Sequence, residues 1–127
     1  MITAIEIVQA GLDGLVHVPV THHVPRVRPE RFVRVDQGPP REITPVADQA
    51  LVIIQVYAPD DAAGEEWAIE TSGLIHGALA HRWFEMGERV FGWEVSQGPH
   101  PFPDPDVPDC VRWQLSGTLL FSPTSAG

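Results

Sequence analysis

The sequence predicts an α+β domain: a mostly antiparallel sheet of four to five strands, with a short N-terminal helix and one long helix packed on one face. Three observations lead there. The run Leu51 to Ala58 (LVIIQVYA) is β-branched and apolar on both faces, the pattern of a central strand covered on both sides. Residues 61 to 82 carry apolar side chains at helical spacing. Residues 110 to 121 alternate apolar and polar side chains, as a half-buried strand does. One long helix after the central strand, followed by two further strands, is the order of helices gathered on one face of an antiparallel sheet.

In chain order, residues 3 to 15 place Ile5, Val8 and Leu12 on one helical face, with Thr3 as N-cap and Gly14 as stop. Val16 to Val20 is a weak strand, interrupted by His17 and Pro19, and 21 to 30 is an extended, proline-rich connector. Residues 31 to 36 form a strand with Val33 and Val35 facing one way and Phe32 and Arg34 the other. The segment 37 to 49, with three prolines and a glycine, reads as a long hairpin-like loop. After the central strand, Asp60 or Asp61 caps the long helix, and Glu65 and Glu66 suit the positive end of its dipole.

The expected buried stripe of that helix is Ala63, Trp67, Thr71, Leu74, Ile75, Ala78 and Leu79, opposite Glu66, Glu70, Gly73 and Gly77. Residues 89 to 97 alternate as a strand, and 98 to 109, with five prolines, are expected to be a rigid exposed loop. In the last strand Val111, Trp113, Leu115, Leu119 and Phe121 point in, and Arg112, Gln114, Ser116 and Thr118 point out. Trp67, Leu74, Ile75, Ile53, Val56, Trp113 and Leu115 are the expected common core. The organisation is one domain over 1 to 122 and a flexible tail over 123 to 127.

Charge narrows the function. The 17 Asp and Glu against 8 Lys and Arg leave a net charge of -9, which disfavours tight binding to nucleic-acid phosphates. Cys110 is the single cysteine, so no intrachain disulfide forms and a reducing compartment is expected. No window approaches the roughly 18 apolar residues of a membrane span, and Met1 to Leu15 lacks the basic start of an export signal.

No side-chain pattern points to catalysis. His17, His22 and His23 are close in sequence but match no metal-ligand spacing, and His76 and His81 project from different sides of a helix. Cys110 has no local base to make it a nucleophile, and Asp104 and Asp106 are expected to be held apart and exposed by prolines. No catalytic residue, cofactor or metal site is therefore expected. Arg26, Arg28, Arg31 and Arg34 gather half of the basic side chains within nine positions, either a solvated strand edge or a contact patch for an acidic partner such as the next subunit.

Three phrases carry a resemblance: VRPERFVRVDQGPP, ADQALVIIQVYAPDDAAGEEWA and GWEVSQGPHPFPDPDVPDCVRWQLSGTLLF. In that order they resemble the tail terminator proteins of actinobacterial siphophages and prophages. The resemblance implies a non-enzymatic virion protein that forms a homohexameric ring on the head-proximal end of the tail tube, after assembly in the host cytoplasm. Such a ring stops tube polymerisation and presents the surface to which the head connector or stopper docks, while DNA passes through the lumen without specific binding. The expected subunit or tube contacts are Arg28, Arg31, Arg34, Pro39, Pro40, Phe102, Asp104 and Asp106. Reversal of Arg31 and Arg34 is expected to weaken assembly and leave the fold intact. Acidic side chains, Glu94 and those of 104 to 109 first, are expected on the inner wall. The competing readings are another head-to-tail joining protein, such as a stopper or completion protein, and a small α+β enzyme or ligand-binding domain.

Overall fold

The computed structural model describes residues 1–124. Its elements are α1 (Ala4–Asp13), β1 (Val20–Thr21), β2 (Phe32–Gln37), β3 (Arg41–Thr44), β4 (Ala47–Pro59), α2 (Ala62–Arg82), a 3₁₀ turn (Trp83–Met86), β5 (Val90–Pro101) and β6 (Cys110–Phe121). The strands form one sheet in the order β1-β2-β4-β6-β5, with β3 also paired to β4. All pairings are antiparallel except that of β1 with β2. The α+β class stands, with six strands rather than four to five.

The additional strand, β3, comes from a proline-rich segment. After Gln37 pairs with Val52, the Gly38 N–H still reaches the Leu51 carbonyl at 2.8 Å, Pro39 and Pro40 interrupt the ladder, and Arg41 re-enters it opposite Gln49. The expected loop over 37 to 49 is thus a continuation of β2 along the same side of β4, followed by a turn at Pro45 and Val46. In the same way β5 runs on to Pro101, and the expected loop 98 to 109 shortens to 102 to 109. Proline inside a strand costs only a donor that an edge strand does not need, and β5 is an edge with three register shifts.

Both helices cover one face. Ala50, Val52, Ile54, Val56 and Ala58 of β4 are at most 2% exposed and pack with Val33, Val35, Leu115 and Leu119 against α1 and α2. From α1 come Ala4, Ile7, Val8 and Leu12, with Ile5 at the margin of the core. Thr3 caps this helix as expected, accepting the Glu6 N–H at 3.1 Å. Ile53 belongs to the opposite face, because a strand's period of two separates it from Val56.

The stripe of α2 differs from the expected one. Its buried residues are Gly64, Ala68, Thr71, Ser72, Ile75 and Leu79, whereas Leu74 is 46% exposed and Trp67 lies at the flank. Only Asp60 and Asp61 connect β4 to α2, so the helix starts hard against the strand end. Asp61 caps it through the Gly64 N–H at 2.7 Å, and a Cβ on Gly64 would overlap the Pro59 carbonyl. So close an approach admits only small residues, Gly64 and Ala68, at the start of the sheet-facing side; Ile75 and Leu79 fill it further along, and Leu74 turns outward. Gly64→Ala is expected to destabilise the chain by about 1–3 kcal/mol, since backbone must move to admit the methyl group. Thermal unfolding of the variant checks this; an unchanged midpoint would contradict the tight junction.

At the other end of the fold, Trp93 lays its indole over Gly117, where any Cβ would collide with it. The Ile2 N–H donates to the Pro123 carbonyl at 2.8 Å, tying Pro123 to the start of the chain. Of the expected tail 123 to 127, residues 125 to 127 lie outside the described residues. No helix among the described residues is long and apolar enough to cross a membrane.

Candidate functional site

The face of the sheet away from the helices carries registered polar rows. Arg34, Gln55 and Gln114 stand side by side across β2, β4 and β6, with His100 of β5 next to Gln114. Asp36, Ile53, Ser116 and Gln97 form the next row, followed by Leu51, Thr118 and Glu94. Gln55 donates from Nε2 to Gln114 Oε1 at 3.2 Å. No helix covers these rows; the loop 102 to 109 covers only their end, where Phe32 stacks on Tyr57 at 4.5 Å and Val107 closes a second small core.

That loop is pinned by a charged network. The Tyr57 hydroxyl donates to Asp104 Oδ2 at 2.9 Å, and Arg112 Nη1 lies 3.5 Å from the same oxygen. Arg112 also donates from Nε to the Phe102 carbonyl and from Nη2 to the Pro103 carbonyl, and its guanidinium sits 4.9 Å over the Phe102 ring. Asp104 Oδ1 accepts the Asp106 N–H at 3.0 Å, which shapes the turn from inside. Burial by itself would raise the Asp104 carboxyl, but the Tyr57 hydroxyl, the Asp106 N–H and the charges of Arg112 and Arg34 offset it and hold the group below its usual range. Burial raises the Tyr57 phenol, so it stays a neutral donor.

Two expectations change here. Asp104 is not held apart and exposed: its side chain is 11% exposed and fully engaged, while Asp106 is exposed. Arg112 does point to the face opposite the helices, yet it is buried beneath the loop rather than solvated. Tyr57 escaped notice as a site residue, because only the register that sets it opposite Arg112 reveals its partners.

The arginine cluster does not form one patch. Arg31 lies 5.1 Å over the Trp67 ring on the helical side, whereas Arg34 pairs with Asp36 at 3.1 Å on the open face. Arg28 makes a two-pronged contact with Asp109 at 2.9 and 3.2 Å, which lowers the Asp109 carboxyl. Arg31 and Arg34 therefore hold intramolecular contacts, and reversing them would disturb the fold as well as any partner. Pro39 and Pro40 are exposed between β2 and β3, and the Phe102 side chain remains half exposed. Glu94 is exposed on the open face, but most of the excess acid is elsewhere. Asp60, Asp61, Glu65, Glu66, Glu70, Glu85 and Glu88 all fall within residues 60 to 88, which contain Arg82 as their one basic residue.

A cleft of about 420 Å³ runs beside the loop, lined by Asp60, Glu65, Asp104, Cys110, Arg112 and Trp113 among others. Glu65 accepts the Trp113 indole N–H at 3.1 Å, and Asp104 and Arg112 belong to the Tyr57 network, while Asp60 lies exposed at the cleft. Burial and the neighbouring Asp109 push the Cys110 thiol up, the wrong direction for a thiolate nucleophile. The imidazoles of His22 and His23 lie 5.0 Å apart, but no three His, Cys, Asp or Glu side chains among the described residues are placed to hold a metal ion. This arrangement can shape and brace a surface. Neither the family models nor the curated protein sequences compared with this chain gave a match.

Proposed function

We propose that this chain is a virion structural protein of the tail terminator kind. It assembles as a hexameric ring on the head-proximal end of a siphophage tail tube, ends tube polymerisation and provides the docking surface for the head connector. One observation carries the reading: the three phrases that resemble the family fall on one continuous feature. Residues 27 to 40 approach and form β2, 47 to 68 form β4 and the start of α2, and 92 to 121 form most of β5, the braced loop and β6. The likeness thus lies in adjoining strands of the sheet, the braced loop and the start of α2, and it includes the cleft beside that loop.

The physical fit supports the same reading. A subunit that ends a tube must match the tube on one side and offer an unlike surface on the other, so it needs several separate contact areas. The open sheet face, the exposed segment 39 to 46 and the sheet edge at β5 are three such areas. Rigid proline-rich segments lose little entropy on docking, and the loop 102 to 109 is further stiffened by its buried network. In this reading the protein needs no cofactor, the genome passes through the lumen unbound, and the ring resides in the virion after assembly in the host cytoplasm.

Electron microscopy of tail tubes polymerised with and without the protein tests it. Tubes capped at one end by a six-fold ring, and unable to elongate, are expected. Tubes that grow unhindered in its presence would overturn the terminator function. Binding to the head connector without capping would favour a stopper or completion protein instead.

A further inference from the structure

We infer that the connector knob formed by Arg26 and Val27 docks on the outward face of α2 of a second copy of this chain, around Glu66, Glu70 and Leu74. The inference rests on the reading of the chain as a ring subunit. Val27 is 90% exposed, and a lone exposed apolar side chain would call for no explanation. This one is braced. Pro25 and Pro29 restrict the backbone on either side, and the neighbouring Arg28 is clamped to Asp109 by two hydrogen bonds. Arg26, beside the apolar tip, makes no hydrogen bond or ion pair among the described residues and is exposed. The result is a preorganised apolar tip beside the unpaired Arg26 charge, with the exposed Glu30 and the clamped Arg28–Asp109 pair close by.

Its complement is on the same molecule. Glu66, Glu70 and Leu74 are spaced by four residues and so share one face of α2, and all three are exposed. Neither glutamate has an ion-pair partner among the described residues, and Leu74 offers a 46% exposed side chain beside them. The surrounding segment 60 to 88 carries seven acidic residues against Arg82, with Arg31 packed on Trp67 nearby, whereas the other basic side chains concentrate in the connector and strands. The unpaired Arg26 charge and the two unpaired glutamates attract each other across copies, which favours a head-to-tail order between them. Contacts between two different surfaces of identical subunits close into a ring when the rotation allows it.

The test is a charge swap read by sedimentation velocity at about 150 mM salt, where an exposed ion pair is partly screened but still measurable. Arg26→Glu and Glu70→Arg are each expected to weaken self-association at least tenfold, and the combined variant to recover most of it. Val27→Ser is expected to weaken association without changing its salt dependence. All these positions are exposed, so circular dichroism and the unfolding midpoint are expected to stay at wild-type values. Self-association that ignores both single reversals, or a combined variant no better than either, overturns the contact. A wild-type chain monomeric up to about 1 mM, a concentration at which even a contact of only 4 kcal/mol would be half formed, overturns it as well. Tube capping by that same monomeric protein would leave the terminator function standing. An open or dimeric assembly that obeys the swap would keep the contact and overturn the closed ring.

Discussion

Arg112→Ala is expected to lower the unfolding free energy by about 3–5 kcal/mol, the usual cost of leaving a buried charge without its partner. The guanidinium is 9% exposed and serves Asp104, the Tyr57 hydroxyl and two loop carbonyls at once. Removing it strands the Asp104 carboxylate beneath the loop and frees residues 102 to 109 from the sheet. Urea denaturation measures the loss, and hydrogen exchange at Val107 and Cys110, whose N–H groups donate within the loop, reports the release. Replacing the whole network with apolar groups, as Tyr57→Phe, Asp104→Leu and Arg112→Met together, is expected to be milder than Arg112→Ala alone, because no charge then remains buried. A loss below about 1 kcal/mol for Arg112→Ala would show that the loop stands without the network.

The same network gives the protein an acid-sensitive stability. Asp104 is held below its usual range when folded, so the unfolded chain binds the proton more readily. Its contribution is fully present above the unfolded value of about 4 and is lost as pH falls through the lower, folded value. Asp104→Asn is therefore expected to flatten the decline in stability below about pH 4, at the cost of a less stable protein at neutral pH. Asp109 is also lowered, by Arg28, but its side chain is 66% exposed, so Asp109→Asn is the control with little effect.

Ile75→Ala is expected to cost about 2–5 kcal/mol, and Leu74→Ala under about 1 kcal/mol. The two residues are neighbours in sequence with similar apolar volume, yet Ile75 is fully buried between α2 and the sheet and Leu74 is 46% exposed. Ile75→Ala leaves a cavity in the main core, while Leu74→Ala removes only surface that water already reached. Chemical denaturation of the pair decides the rotation of α2 directly. Equal losses would restore the stripe that hydrophobicity alone suggests.

That contrast marks the boundary of what a linear reading reaches. The α+β class, the cap at Thr3, a cap at Asp60 or Asp61, the span of α2 and the alternation of β6 were all legible, because caps and periodicities are local properties of consecutive residues. The sequence by itself also determined the acidic balance and the single thiol, which depend on composition alone. The rotation of α2 was decided by the tertiary structure, since it follows from how closely Gly64 must approach the end of β4. β3 and the extension of β5 likewise depended on which strands became edges, where proline's missing N–H is harmless. The four clustered arginines parted because they meet different partners: Arg28 meets Asp109, Arg31 lies over Trp67 just before β2 begins, Arg34 pairs with Asp36 on the opposite face, and Arg26 stays exposed. Asp104 and Arg112 found Tyr57 only through strand register, a long-range choice made by the whole sheet and invisible in any one segment.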